Sequence, residues 1–446
     1  MTPAPSDRIR QLAREAAAML AVPPRPAVAD DIAAFVTTLG PTAAMDDLDA
    51  LAEEAPDAAA TYHVRGEALA ALDRLAAACD EFRYATEIDD EAIAPRWRLA
   101  EIEAERDRPH EAADAWDAIA ERGVEEPAVF EHLGYALLDA DEPTRAIAAF
   151  EEGLALAPNN GRLLAGRGAA ALALDLMDDA LTDATAALRH APEDIECWET
   201  LADVHMARGE TASAMTAIER LLALAPGHIE ALRMRGDAQW DAGDIAAAVA
   251  DYTAALATEP DDPETLIAAA EGHLRLGEAE KALANTARVL AHDAADPDAI
   301  ALTARAEAAL GRLTEARERL DRGIETIEDP AALYLARADQ HLAAGRTNLA
   351  WRDARWAIDA DPELGAAYVL RARLALDLES PAEAMADLDA AVELDPKDGA
   401  ALAWRGRAHQ RAGRTQDATL DWDAARALLP STDPLLAEIH AWRSDI

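Results

Sequence analysis

Prolines recur along this chain at a fixed interval. Pro158, Pro192, Pro226 and Pro260 stand 34 residues apart, and Pro362, Pro396 and Pro430 continue the same phase after a gap of three intervals. A register of that length constrains the fold strongly, because a 34-residue period is one supersecondary unit repeated, each copy covering its apolar face with its neighbours. Units starting at 59, 93, 127, 161, 195, 229, 263, 297, 331, 365 and 399 place eleven copies over 59–432. The twentieth position of all eleven is alanine, from Ala78 and Ala112 through to Ala384 and Ala418. The eighth is Gly or Ala throughout, as in Gly66, Ala100, Gly134 and Gly406. Small residues at two fixed points are what a pair of helices requires in order to pack closely.

Composition agrees with helices. Hydrophobic residues make up 51% of the chain, yet only 9 Trp, 4 Phe and 6 Tyr are aromatic. The apolar content is therefore largely alanine, which favours helix, where a β-rich chain would draw on β-branched and aromatic residues. Asp and Glu number 86 against 41 Lys and Arg, a net charge of −45. That excludes a general nucleic-acid binder, which needs clustered cations to displace counterions from phosphates. Nothing approaches eighteen uninterrupted apolar residues, so no membrane insertion is expected. The charges Asp7, Arg8, Arg10, Arg14 and Glu15 at helical spacing predict an amphipathic helix over Ser6 to Ala21 rather than a secretory leader. A cytoplasmic location is expected.

The interior of the unit resembles a known family. In the unit from Pro127, Phe130 stands at the fourth position, Leu133 and Gly134 at the seventh and eighth, Ala146 at the twentieth, Phe150 at the twenty-fourth and Pro158 near the end. This pattern is similar to that of tetratricopeptide repeats. The resemblance implies an all-α fold, an α-α superhelix in which antiparallel helix hairpins form a right-handed solenoid. The expected organisation is an N-terminal amphipathic helix in 1–24, a divergent repeat-like cap in 25–58, eleven units in 59–432 and a C-terminal capping helix in 433–446. Leu435, Leu436, Ile439 and Trp442 supply the apolar face of that last helix. The divergent first unit and polar tail lead us to expect a monomer.

One departure from the family pattern is systematic. The seventh position, usually Leu, is Arg65, Arg167, Arg235, Arg337, Arg371 and Arg405 in six units. These are expected to pair with acids of neighbouring repeats, the aliphatic stems packing while the guanidinium reaches out. His205, His273, His341 and His409 share the eleventh position of alternate units, too far apart to ligate one ion, and are expected to pack in place of an aromatic. Cys79 and Cys197 are read as small buried residues. No metal, cofactor, nucleotide or catalytic constellation is expected, and the chain is read as not an enzyme.

Function is expected in the groove. In the resembled family, the second, fifth, ninth, twelfth and thirteenth positions of each first helix tend to face the concave surface. The ninth position here includes Glu67, Glu101, Asp203, Asp237 and Glu271 early in the array and Arg305, Arg373 and Arg407 late, with Arg411 one turn beyond. Residues 1–300 hold 23 Lys and Arg against 60 Asp and Glu, net −37, whereas 301–446 hold 18 against 26, net −8. The N-terminal and middle groove, with Trp97, Tyr135 and Trp240 as aromatic anchors, is therefore expected to take a basic or amphipathic protein segment. The C-terminal groove, through Arg305, Arg373, Arg407 and Arg411, is expected to take an acidic segment or a chain-terminal carboxylate. The familiar grip on chaperone tails needs Lys at the fifth and Asn at the ninth position, and no unit has either. The resemblance thus implies a non-catalytic scaffold or adaptor that binds extended or helical segments. The alternative is a dedicated regulatory subunit or chaperone-like assembly factor for one enzyme or membrane complex.

Overall fold

A computed structural model describes residues 6–24, 26–430 and 433–444. Thr432, the expected last residue of the eleventh unit, lies outside them. Among the described residues there are twenty-six helices and no strand, an all-α helical repeat architecture. No helix is long and apolar enough to cross a membrane. The chain divides into two units, residues 1–220 and 221–446.

Each 34-residue repeat is a hairpin of two antiparallel helices, for example Pro127–Asp139 and Pro143–Leu156 in the first unit and Ala331–Ala343 and Thr347–Ala360 in the second. All eleven alanines at the twentieth position are completely buried. At the eighth position, side-chain volume is matched to the twenty-fourth in most repeats, although Gly168 stands opposite Ala184. Gly66, Gly134, Gly236 and Gly406 lie under Phe82, Phe150, Tyr252 and Trp422, whose rings would come within 2.4–2.6 Å of an added Cβ. Most units with Ala at the eighth position carry a smaller partner, such as Ile218 opposite Ala202 or Leu320 opposite Ala304. Trp116 opposite Ala100 is the exception, and its ring lies against Trp97 and His132 instead.

The turn between the helices is equally regular. The fifteenth residue of every unit has positive φ, between 56° and 82°: glycine in six, Asp73, Asp107, Asp141 and Asp175 in four, and Glu379 in one. In each, the N–H of the sixteenth residue donates to the carbonyl of the eleventh at 2.8–2.9 Å. This left-handed helix stop satisfies the orphan carbonyls at the end of the first helix.

Arginine at the seventh position makes the expected inter-repeat pairs in part, and in every case it also pairs within its own repeat. Arg167, Arg235, Arg371 and Arg405 each place two nitrogens on the carboxylate sixteen residues ahead, Asp183, Asp251, Asp387 and Asp421, at 2.6–2.9 Å. Arg337 holds Asp353 the same way at 2.7 and 3.1 Å, and Arg65 faces Glu81 at 3.3 Å. The partner is thus the twenty-third residue of the same hairpin, brought alongside by the turn. Arg65, Arg337 and Arg405 also reach acids preceding their own repeat, Asp49, Asp321 and Asp389. Where the seventh residue is Leu99, Leu133 or Leu201, the twenty-third is Ala115, Ala149 or Ala217. Repeat 297–330 inverts the clamp: Arg319 on its second helix holds Glu307 on its first at 2.7 and 3.1 Å.

The ends of the array are covered by apolar faces. Ile9 and Leu12 of Asp7–Ala17 pack with Ile32, Val36, Ala44 and Leu48 onto Val64 and Ala68 of the first repeat. That helix stops at Ala17, capped at its start by the Ser6 hydroxyl and followed by a turn, short of the Ala21 anticipated. Ile439 and Trp442 of Leu435–Ser444 pack on Leu402, Ala403 and Trp422. Cys79 and Cys197 are buried free thiols.

Two outcomes follow. Arg371→Leu leaves the Asp387 carboxylate, 8% exposed, without its partner and should cost about 2–4 kcal/mol in urea unfolding, while Arg371→Leu with Asp387→Ala should recover most of it. Glu379→Gly, relieving a left-handed residue with φ 60°, should raise stability by about 1 kcal/mol and the melting temperature with it.

Candidate functional site

The site residues anticipated from sequence fall into three groups, each within one of the two units. In residues 1–220, Ala94–Glu105 carries Trp97, Arg98 and Glu101 on neighbouring turns. Arg98 lies between two of the anticipated acids, bonding Glu67 through Nε at 2.8 Å and pairing with Glu101. Glu67 is 4% exposed, and burial raises its pKa although Arg98 opposes the shift. Trp97 donates its indole N–H to Glu101 at 2.8 Å and meets Trp116 edge-on at 4.7 Å. Tyr135 donates to the Arg162 carbonyl at 3.2 Å and stands edge-on to Phe150, burial raising its phenol pKa. Asp203 is half-buried on Ile195–Ala207. The acids Glu67 and Glu101 are thus engaged by an arginine of the chain itself.

The C-terminal arginines are distributed differently. Arg305 is held by two bonds to Glu271, at 2.8 and 3.2 Å. Arg373 lies over Trp404 at 5.0 Å and Arg407 over Trp442 at 5.4 Å, the two indoles being 4.9 Å apart. Gln410 bonds Arg407 and donates to the Trp442 carbonyl, so Arg407 is part of the junction with the terminal helix. Arg411 is exposed.

Three anticipated residues do converge. Asp237 and Trp240 of Ile229–Asp241 and Glu271 of Pro263–Arg275 line one open cavity of about 500 Å³. Asp241, Tyr252, Glu264, Ile267 and Ala268 complete its wall. Gly272 permits the close approach of Ile245–Thr258, since a Cβ there would come within 2.3 Å of Val249. Tyr252 donates to Asp237 at 2.6 Å, and Glu264 is reached by Arg233 at 2.5 Å. Burial and, to a lesser degree, the Asp237 charge raise the Asp241 pKa. Across the Trp240 face lies Arg275, its guanidinium carbon 4.3 Å from the ring centroid and its Nε 3.7 Å from Glu271. An aromatic face with carboxylates around it attracts a guanidinium by ring quadrupole and by charge.

Asp241, Glu264 and Ile267 stand at the thirteenth, second and fifth positions of their repeats, groove positions that a reading of the ninth position alone passes over. Tyr252 comes from a second helix, and no groove position points to it. Among the described residues, no group of three or more His, Cys, Asp or Glu side chains is placed to hold a metal ion.

Comparison with known proteins agrees with this architecture. A family model described as tetratricopeptide repeat matches residues 97–161, 132–195, 165–229, 335–399 and 369–431, and two further models of the same description match 201–271 and 239–305. No curated protein sequence matches. Among solved structures, yeast Tom70 is similar at 13% identity over 88% of this chain and 96% of its own, with a TM-score of 0.47. YrrB, described as a tetratricopeptide repeat protein with an unusual peptide-binding site, is 19% identical over 42% of this chain and 97% of its own, with a TM-score of 0.35. A thermophilic protein of the same repeat type from Thermus thermophilus is 24% identical over 42% of this chain and 99% of its own, with a TM-score of 0.34. The 34-residue register, the helix hairpins built on it and a family model matching more than half the residues together make this chain a member of the tetratricopeptide repeat family.

Proposed function

We propose that this chain is a non-catalytic cytoplasmic scaffold, and that the cavity around Trp240 receives a basic side chain of an extended or helical partner segment. Tetratricopeptide repeats generally mediate protein–protein interaction. The observation that carries the finer reading is Arg275 on Trp240: a guanidinium of the chain itself rests where a partner's would, against the indole and beside Glu271. Its side chain is 52% exposed, so it can swing aside at small cost. Asp237 and Asp241 add negative potential on the same wall, which sets orientation and speeds encounter. In the N-terminal group Arg98 occupies both acids. Around Trp240, Arg233 and Arg305 engage Glu264 and Glu271, but Asp237 is met by the Tyr252 hydroxyl and the Asp241 pKa is raised by burial and the Asp237 charge, so the basic segment is assigned to Trp240. Arg373, Arg407 and Arg411 are retained as the candidate contacts for an acidic segment or a chain-terminal carboxylate.

The test is calorimetric titration of short arginine-containing peptides into the full chain. Trp240→Ala should weaken binding roughly tenfold, Asp241→Asn should weaken it several-fold at low salt and less at high salt, and Arg275→Ala should strengthen it. The triple change Arg373→Ala, Arg407→Ala and Arg411→Ala should leave these peptides unaffected. Peptide binding indifferent to both Trp240→Ala and Arg275→Ala would remove the assignment.

A further inference from the structure

The four histidines at the eleventh position begin from one geometry and end in two. In each of their repeats the backbone N–H of the sixteenth residue is tied to the histidine carbonyl at 2.8–2.9 Å, so the sixteenth side chain rises beside the imidazole. In repeats 195–228 and 263–296 that residue is glutamate, and its Oε2 meets Nδ1 at 2.8 Å for His205–Glu210 and 2.7 Å for His273–Glu278. In repeat 331–364 it is Arg346, and in 399–432 it is Arg414. His409 retains an acid on its Nδ1 side, Asp417 at 4.0 Å. On the other side of the His341 ring Asp353 lies 3.6 Å from Nε2, beyond hydrogen-bond reach and already clamped by Arg337.

A cavity of about 250 Å³ lies at that place, between Leu313–Thr326 and Ala331–Ala343, with Arg317, Arg337, Gln340, His341 and Arg346 around it. Two of its polar groups are buried without a partner: His341, only 3% exposed, through Nε2, and Gln340 through Nε2. A buried donor left unmade is costly, and a ligand that accepts from Gln340 Nε2 recovers that cost, while the Nε2 of His341 faces Asp353 and leaves the Nδ1 edge for a carboxylate placed as Glu210 and Glu278 are. The charges are cationic in excess. Arg337 is offset by Asp353 and Asp321, and Arg317 comes only within 3.9 Å of Asp321. Arg346 is exposed. In a chain of net charge −45, this is a local reversal of sign with a shape to it, and it stands away from the groove positions of the first helices.

We propose that this cavity binds a carboxylate, which takes the place that Glu210 and Glu278 fill in their repeats and is held by Arg346, Arg317 and the imidazole of His341. Carboxylate is the chemistry the fold already uses at the equivalent point, and two guanidinium groups supply its forked donors. The source is either a free small dicarboxylate or an acidic side chain of a bound segment, and the two present the same group.

Burial, joined by Arg317, Arg337 and Arg346 and opposed by Asp353, lowers the His341 pKa. A bound carboxylate favours the imidazolium, so His341 should titrate at higher pH when the site is filled and binding should tighten as pH falls. The experiment is NMR of the full chain with isotope-labelled histidine, the His341 resonance assigned by His341→Gln. Glutarate, a blocked glutamate peptide and inorganic phosphate are titrated separately at constant ionic strength. The expected result is movement of His341 with one or both carboxylates while His205 and His273, whose partners are internal, stay still. Response to glutarate and peptide alike identifies a free carboxylate as sufficient, and response to the peptide alone identifies an acidic segment. Arg346→Glu should abolish the response, and Arg317→Gln should weaken binding roughly tenfold. Equal movement of all three histidines, no movement of His341, binding of phosphate but neither carboxylate, or undiminished binding by folded Arg346→Glu would each overturn the proposal.

Discussion

Between the two helices of every repeat runs a seam of small residues, and the eleven alanines at the twentieth position, all fully buried, are its centre. A larger side chain at any of them would hold the helices apart and undo the contacts built on their separation. Those contacts are the ring at the twenty-fourth position seated on a glycine at the eighth, and the left-handed residue at the fifteenth that returns the chain at the same angle each time. Close apposition also explains why alanine rather than leucine dominates the apolar content: dispersion between near backbones substitutes for large side chains.

The charged clamps depend on the same spacing. A guanidinium at the seventh position meets a carboxylate at the twenty-third only because the turn and seam bring residues sixteen apart side by side. Arginine appears at the seventh position where an acid occupies the twenty-third, and leucine there goes with alanine. Both pairings fill the same space, one by charge-assisted hydrogen bonds and one by apolar contact. The acidity of the chain is therefore partly structural, since Asp183, Asp251, Asp353, Asp387 and Asp421 are buried members of these pairs rather than solvated surface.

The candidate sites are places where this internal pairing is incomplete. Glu67 and Glu101 share Arg98, and Arg305 is taken by Glu271. Around Trp240 the acids outnumber the arginines that reach them, and around His341 the carboxylate that accompanies His205 and His273 has been replaced by Arg346. Repetition makes such differences visible, because each repeat can be compared with sisters of the same geometry.

By itself the sequence determined the period, the hairpin with its small-residue seam, and the family, because these rest on one residue type recurring at one phase. It also held, in the joint variation of the seventh and twenty-third positions, a signal for the clamps that reading one position at a time does not reveal. Only the tertiary structure decided which charges are satisfied within the chain and by which partner. Partners such as Arg98 and Glu67, or Arg305 and Glu271, lie 31 and 34 residues apart and belong to different repeats. Whether their side chains meet depends on helix separation and rotamer, which act through distance in space and leave no trace in the periodicity of either position.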